Sequence, residues 1–130
     1  MTRLESDTVT VNKTAKEVFE FLSDFNNYQR LMPEQVTDWK STADDCSFTI
    51  KGMASLAMKM KEKTPFSSVV IERNGKAPFD FLLTCQLADK QAECEVRLYF
   101  DADLNPMLKM MASKPLTNFL NLMASKLKEI

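Results

Sequence analysis

The fold is decided by residues 79–101, which read FDFLLTCQLADKQAECEVRLYFD. In two runs of this stretch, large apolar residues occupy every second position. Such alternation places those side chains on one face of a β-strand, so each run predicts a strand with one buried face. The turn that we place at residues 88–90 is short, and a short connection requires antiparallel neighbours. The inward-facing residues are Phe79, Phe81, Leu83, Cys85 and Leu87 in the first run and Cys94, Val96, Leu98 and Phe100 in the second.

The same period of two continues toward the N-terminus over residues 35–73. Gly52 interrupts the pattern, as a bulge or a sharp bend would. Because short turns join all of these runs, they predict an antiparallel meander of six strands. Residues 4–11 end in β-branched alternation and predict one further strand. The sequence therefore predicts an α+β fold built on a curved antiparallel sheet of about seven strands.

Two short helices are predicted between the first strand and the meander. Residues 14–17 (TAKE) match a capping box, in which the Thr hydroxyl and the Glu carboxylate each accept a backbone N–H from the other residue. Apolar residues then recur at helical spacing up to residue 22. The second helix is predicted over residues 24–31, and Pro33 ends it.

A long C-terminal helix is predicted to close over the sheet. Asn105 is a suitable cap, and Pro106 stands at the first helical position, where a missing N–H has no cost. Pro115 lies inside this helix, where it removes one hydrogen bond and crowds the preceding turn. We therefore expect a kink or a break near Lys114, with both pieces sharing one buried face.

The composition is that of one globular domain. A length of 130 residues suits a single domain spanning the whole chain. Seventeen basic and eighteen acidic residues leave a net charge of −1, which predicts no nucleic-acid partner. No run of about 18 apolar residues exists, so no membrane span is expected. The N-terminus lacks a signal-peptide core, and three cysteines without a CxxC spacing predict buried thiols in a reducing cytoplasm.

Several chemical centres are missing from the sequence. The chain contains no histidine, which removes the commonest general acid or base and the commonest metal ligand. Two glycines are too few for a glycine-rich phosphate cradle. We therefore predict no metal and no cofactor, and the sequence offers no catalytic residue.

One stretch of the chain resembles a known family. Residues 11–25 read VNKTAKEVFEFLSDF, and Tyr28 and the run Leu31-Met32-Pro33 follow. This pattern, together with the order of elements along the whole chain, resembles the START-like (SRPBCC) superfamily, which includes polyketide cyclase/dehydrase-like and lipid-transfer proteins. More narrowly it resembles small bacterial members. The chain departs from the family at Thr14, where a proline is common. The resemblance implies the helix-grip fold.

The resemblance also implies a cavity between the sheet and the C-terminal helix, of a kind used for lipids, polyketides or hormones. Methionine is flexible and polarizable, which suits a wall that fits a variable apolar guest, and the chain has nine methionines. The alternative interpretation is that they fill an irregular core. The candidate ligand-binding residues are Met58, Met60, Phe81, Leu83, Leu98, Phe100, Leu108, Met111, Phe119 and Met123.

Two polar residues are candidate contacts for a ligand head group. Glu62 continues the inward parity of Met58 and Met60, and Arg73 continues that of Ile71. An inward Arg can pair with a carboxylate or a phosphate. Alternatively, each side chain lies near a strand end and reaches solvent.

The predicted function is binding or carriage of a small apolar or amphipathic molecule, lipid-like or polyketide-like, in this cavity. Two alternatives stay open. A cyclase or dehydratase type of enzyme would use carboxyl or hydroxyl groups of the pocket, with a perturbed pKa there. A surface interaction module would show an exposed apolar patch, for which Trp39 and Phe66 are the first candidates.

A weak contact with a membrane surface is a further prediction. The C-terminal helix carries several lysines, which attract anionic lipid head groups. The alternative is that they complement the helix dipole and form a solvated face. The lysines are Lys109, Lys114, Lys126 and Lys128.

The sequence does not determine the oligomeric state.

Overall fold

The computed structural model of the chain describes residues 2–52, 54–75 and 79–130. Within these ranges an antiparallel sheet is combined with two α-helices and one 3₁₀ helix. The helices are α1 (Ala15–Leu22), the 3₁₀ helix (Phe25–Leu31) and α2 (Pro106–Leu127). The strands are β1 (Thr2–Glu5), β2 (Val9–Val11), β3 (Val36–Ser41), β4 (Asp45–Ile50), β5 (Ala54–Thr64), β6 (Ser68–Arg73), β7 (Phe81–Lys90) and β8 (Glu93–Ala102).

The strands form one sheet in the order β1-β8-β7-β6-β5-β4-β3, and β2 also pairs with β8. The six strands from β3 to β8 are the predicted meander, and all of their pairings are antiparallel. The turn between β7 and β8 lies at Gln91 and Ala92 rather than at residues 88–90, because the ladder extends to the pair Lys90 and Glu93. The α+β class and the helix-grip arrangement are confirmed.

The predicted first strand is divided into β1 and β2. Glu5 is paired with Tyr99, whereas Val9 is paired with Val96, so the N-terminal segment contains one residue more than β8 opposite it. Ser6 fills this irregularity. Its N–H donates to the Leu98 carbonyl at 2.9 Å, and its hydroxyl accepts the Leu98 N–H at 2.9 Å. The Ser6 side chain thus replaces one backbone partner of the ladder.

Local polar contacts determine where the two short helices begin. The Thr14 hydroxyl accepts the Glu17 N–H at 3.2 Å, and the Glu17 carboxylate accepts the Thr14 N–H at 3.1 Å, which confirms the capping box. The second helix is of the 3₁₀ type. The Asp24 carboxylate accepts the Asn26 N–H at 2.9 Å at its start.

The C-terminal helix α2 begins at the predicted residues. Asn105 is its cap, and the Asn105 side chain accepts the Leu108 N–H at 2.9 Å. We expected a kink or a break near Lys114, and a break is not found, because α2 continues through Pro115 as one helix. Ala112 and Leu116 are buried on either side of Pro115, and this packing holds the helix together despite the lost hydrogen bond.

Helix α2 packs against β1, β2, β8 and the 3₁₀ helix. Two hydrogen bonds attach its second half. The Asn121 side chain accepts the Asp7 N–H at 2.7 Å, and the Lys126 ammonium donates to the Met32 carbonyl at 2.7 Å. The first half of α2 is held by apolar packing, with Ala112 and Leu116 buried and Leu108 packed against the core.

Candidate functional site

A cleft of about 270 Å³ opens between α2 and the turns at one end of the sheet, and we call it the α2 cleft. One wall is the face of α2. The other wall comes from the segment between the 3₁₀ helix and β3, and from the turn that follows β4. The lining residues are Pro33, Gln35, Ile50, Lys51, Gly52, Leu108, Met111, Ala112, Pro115, Asn118, Phe119 and Leu122.

The walls of the α2 cleft are mostly apolar. From α2 they include Leu108, Met111, Phe119 and Leu122, which recur at helical spacing, and from the end of β4 they include Ile50. The Met111 side chain is 67% exposed and that of Leu122 is 39% exposed. Large apolar side chains are thus accessible to a guest at the mouth of the cleft.

An aromatic stack joins the cleft to the interior. The Phe119 ring lies parallel to that of Phe48, with centroids 6.3 Å apart. Phe48 stacks in turn on Trp39, at a centroid distance of 5.4 Å. Trp39 is the only tryptophan of the chain. Its fluorescence can therefore report on the environment of the cleft.

Three polar side chains line the cleft, those of Gln35, Lys51 and Asn118. The Lys51 N–H donates to the Gln35 carbonyl at 2.8 Å, which continues the pairing of β3 with β4 and holds these two residues side by side. None of the described residues that line the cleft has a carboxyl or a hydroxyl group. The polar groups there are one ammonium and two carboxamides.

The structure divides the ten predicted ligand-binding residues into three groups. Three of them, Leu108, Met111 and Phe119, line the α2 cleft. Met60 is half-buried and packs against the core. The other six are at most 5% exposed and are packed into the core: Met58, Phe81, Leu83, Leu98, Phe100 and Met123. Phe81 and Phe100 stack on each other, with centroids 5.1 Å apart.

Of the two orientations considered for Glu62, the structure shows the one toward solvent, and Glu62 does not continue the inward parity of Met58 and Met60. The register of β5 against β6 shifts between Met60, which is opposite Ile71, and Glu62, which is opposite Val70. Cross-strand partners share one face of a sheet, and Val70 lies on the face opposite to buried Ile71. This bulge at residue 61 therefore turns the exposed Glu62 outward.

Arg73 reaches solvent at the end of β6. Arg73 is opposite the buried Met58 in the ladder, so its side chain leaves the backbone on the inner face of the sheet. However, its guanidinium is exposed, where it donates to the Asp80 carboxylate at 3.3 Å and to the Gly75 carbonyl at 2.7 Å. Arg73 does not line the α2 cleft.

The buried titratable groups lie in the core and not in the cleft. The Tyr28 hydroxyl donates to the Leu22 carbonyl at 2.7 Å and lies 3.9 Å from the Cys85 sulfur. Burial raises the pKa of Tyr28, and the adjacent Cys85 adds to this. Burial also raises the pKa of Cys46 and of Cys85, each to about 12. These groups therefore stay protonated near neutral pH.

Two features are absent from the described ranges. Among these residues, no group of three or more Cys, Asp or Glu side chains is arranged to hold a metal ion. Within the same ranges, neither α-helix is long and apolar enough to cross a membrane.

Sequence reasoning did not predict nine of the twelve residues of the cleft wall: Pro33, Gln35, Ile50, Lys51, Gly52, Ala112, Pro115, Asn118 and Leu122. Two signals were available. Gly52 marked a sharp bend, and it adopts a φ of 78° in the turn that forms one wall. Leu122 lies three positions after Phe119, which is helical spacing for one face.

Known proteins provide a comparison for this arrangement. The sequence matches the family described as "Polyketide cyclase / dehydrase and lipid transport" over residues 3–129. No curated protein matches the sequence. Similar solved structures include a START superfamily protein from Mycobacterium smegmatis, at 13% identity, with a TM-score of 0.71 and coverage of 98% of this chain and 94% of that one.

Two further structures are similar. Norcoclaurine synthase from Thalictrum flavum has 11% identity and a TM-score of 0.75, with coverage of 98% of this chain and 84% of that one. The di-domain ARO/CYC BexL of the BE-7585A biosynthetic pathway has 15% identity and a TM-score of 0.69, with coverage of 99% and 46%. At such identities these structures show the shared fold alone. The family match covers nearly the whole sequence, and the chain therefore belongs to the polyketide cyclase/dehydrase and lipid-transport family.

Proposed function

We propose that this protein binds or carries a small apolar or amphipathic molecule in the α2 cleft. The observation that carries the proposal is the wall of accessible apolar side chains, above all Met111, Phe119 and Leu122. Ligand sites are typically apolar clefts with a few placed polar groups. Lipid transport within the family description supports the same class of ligand.

The size of the cleft constrains the ligand. Its volume of about 270 Å³ lies just below the range of about 300–1,000 Å³ that is typical of sites for drug-sized molecules. The cleft is also open to solvent along its mouth. We therefore expect a guest of which one part contacts the walls and another part stays in water.

A binding assay with a neutral apolar probe tests this proposal. Purified protein is extracted with organic solvent and then titrated with N-phenyl-1-naphthylamine. Met111→Glu places a carboxylate in the apolar wall, and a carboxylate is costly to desolvate, so we expect it to weaken probe binding about fivefold. Gln86→Glu introduces the same group at an exposed residue of β7 and serves as the control.

Native mass spectrometry before and after the extraction completes the test. Added mass that the extraction removes would identify the natural ligand. The proposal would be wrong if no preparation carried added mass and the extracted protein did not bind the probe.

The cyclase or dehydratase alternative has less support. It requires a carboxyl or hydroxyl group with a perturbed pKa in the pocket. The described residues of the α2 cleft include neither group, and the perturbed groups Tyr28 and Cys85 are enclosed in the core. The geometry therefore favours binding over that chemistry.

We infer a second function, contact with an anionic membrane surface, from the exposed start of α2. Met107, Met110 and Met111 are 70%, 85% and 67% exposed, and their spacing places them on one helical face. We call these three residues the methionine patch. Of the two residues first considered for an exposed patch, Trp39 is half-buried, whereas Phe66 is 46% exposed and packs edge-on against Phe19 at a centroid distance of 5.7 Å.

Charge favours a lipid surface as the partner of the methionine patch. Residues 104–128 contain four lysines and no acidic residue, although the whole chain has a net charge of −1. A helix that combines exposed apolar residues with lysines is suited to the boundary between anionic head groups and acyl chains.

Vesicle co-sedimentation tests this contact. We expect binding to phosphatidylcholine vesicles that contain phosphatidylserine, and none to phosphatidylcholine alone, because each lysine near an anionic surface adds about 1 kcal/mol. The double variant Met107→Glu/Met110→Glu should abolish binding, whereas Gln86→Glu should not. Equal binding to both vesicle types, or dimerisation through the methionine patch in light scattering, would contradict this inference.

A further inference from the structure

We propose that the ligand of the α2 cleft is an anionic amphiphile whose acidic head group is held at Lys51. This inference rests on the proposed binding function and specifies the class of ligand. The proposed ligand carries a carboxylate or a similar acidic group on an apolar chain, and it is neither neutral nor cationic.

Lys51 provides the only formal charge in the described cleft wall. It is exposed in the turn after β4 and forms no ion pair with any acidic residue of the described chain. An unpaired ammonium beside apolar walls attracts an anion and repels a cation. Since the site is open, the attraction between these charges is partly screened by water and salt.

The two carboxamides of the cleft add hydrogen-bond donors. Gln35 is held beside Lys51 by the backbone hydrogen bond between them, and Asn118 lies on the facing helix α2. Each carboxamide offers two N–H groups, and donors to a charged oxygen form stronger hydrogen bonds than donors to a neutral one. No carboxylate of the described cleft wall competes for these donors or for the ammonium.

The helix that forms one wall has the same sign of charge. Residues 104–128 carry Lys109, Lys114, Lys126 and Lys128 and no acidic residue. Lys109 and Lys114 lie within the stretch of α2 that lines the cleft, from Leu108 to Leu122, so their field favours an anion over a cation there. The charge of α2 and the charge of the opposite wall therefore select the same ligand class.

The shape of the cleft agrees with an amphiphile. Leu108, Phe119 and Leu122 offer an apolar surface, while Lys51 stands at an exposed turn where a head group stays hydrated. A charged head group loses little hydration at such a rim, so the cost of desolvation is small. The alkyl chain of the ligand makes the apolar contacts, and its head group fixes its orientation in the cleft.

Three ligands with the same ten-carbon chain test this inference: decanoate, decanol and decylamine. Binding is measured at neutral pH and low salt, below the concentrations at which each compound forms micelles. Trp39 fluorescence reports occupancy through its stack with Phe48 and Phe119. We expect decanoate to bind about three- to fivefold more tightly than decanol, as for a partly exposed ion pair, and decylamine to bind most weakly.

Variants at Lys51 provide the decisive comparison. Lys51→Met removes the ammonium, retains an unbranched side chain, and should bring decanoate and decanol to within about twofold of each other. Lys51→Glu should reverse the order, so that decylamine binds best. Lys16→Met removes a positive charge from an exposed residue of α1 and should leave the preference for decanoate unchanged.

The outcomes separate this inference from the function on which it rests. If none of the three compounds bound, the cleft would not be a ligand site, and both proposals would fail. If all three bound equally to the unmodified protein, binding would stand and the anionic preference would be wrong. A preference that Lys16→Met reduced as much as Lys51→Met did would reflect overall charge and would also overturn the assignment to Lys51.

Discussion

The buried hydroxyl of Tyr28 provides the sharpest test of the packing around α1. This helix ends at Leu22, whose carbonyl is among the last four that no helical N–H reaches. The Tyr28 hydroxyl donates to that carbonyl at 2.7 Å, and the Tyr28 side chain is fully buried. Tyr28→Phe removes only this donor and preserves the shape of the ring.

The expected loss of stability follows from the unpaired carbonyl. Leaving a buried acceptor without a partner costs about 1–3 kcal/mol. The entropy of unfolding is about 2.1 cal/mol/K per residue, which gives about 0.27 kcal/mol/K for 130 residues. Tyr28→Phe should therefore lower the melting temperature by about 4–11 °C.

Urea denaturation and thermal unfolding of Tyr28→Phe measure this loss. The urea concentration at the midpoint of unfolding should fall. The dependence of the free energy of unfolding on urea should be unchanged, since the surface exposed on unfolding is the same. Tyr99→Phe is the matched control. Tyr99 is half-buried between Arg3 and Arg97, and its hydroxyl has no protein partner among the described residues. Removing this hydroxyl should therefore change the free energy of unfolding by no more than about 0.5 kcal/mol. Equal effects of the two substitutions would refute the reasoning.

Three further predictions concern capping, pH and the cleft wall. Thr14→Ala removes the acceptor of the Glu17 N–H and should cost about 1 kcal/mol in urea denaturation, with Thr14→Ser as the conservative control. Because the pKa of Cys85 is about 12 in the folded state against an ordinary 9.0, the unfolded chain loses this proton first, and stability should fall between pH 9 and pH 12. Over this range the free energy of unfolding should fall by about 1.4 kcal/mol per pH unit because of Cys85. In Cys85→Ala the free energy of unfolding should depend correspondingly less on pH. Lys126→Met removes the hydrogen bond to the Met32 carbonyl, which holds the wall at Pro33, and should weaken probe binding about threefold, whereas Lys126→Arg should retain it.

The parts of the fold that the sequence predicted well depend on local patterns. Strict alternation in β7 and β8 fixed which side chains face inward, and these are buried. The capping box of Thr14 and Glu17 needs only residues three positions apart. In both cases the information lies within one element, so a single sequence contains it.

The errors arose where the partner strand decides the conformation. The division of β1 from β2 depends on a contact between Ser6 and Leu98, which are 92 positions apart. The outward turn of Glu62 depends on the bulge that β5 forms against β6. A period-two pattern cannot reveal an inserted residue in advance, because a bulge shifts the parity of every residue after it.

The position of the cleft was beyond prediction for a related reason. The apolar residues of α2 show which faces can be buried, but not which part of the helix the sheet covers. That depends on where α2 is attached, and its attachments, at Asn121 and Lys126, both lie in its second half. The first half is held by packing, through residues such as Ala112 and Leu116, and Met111 is exposed at the mouth of the cleft. Because the same helix closes the core and lines the cleft, deep core residues such as Leu83 and Leu98 contribute to stability, while the proposed ligand would contact the accessible apolar side chains of the α2 cleft.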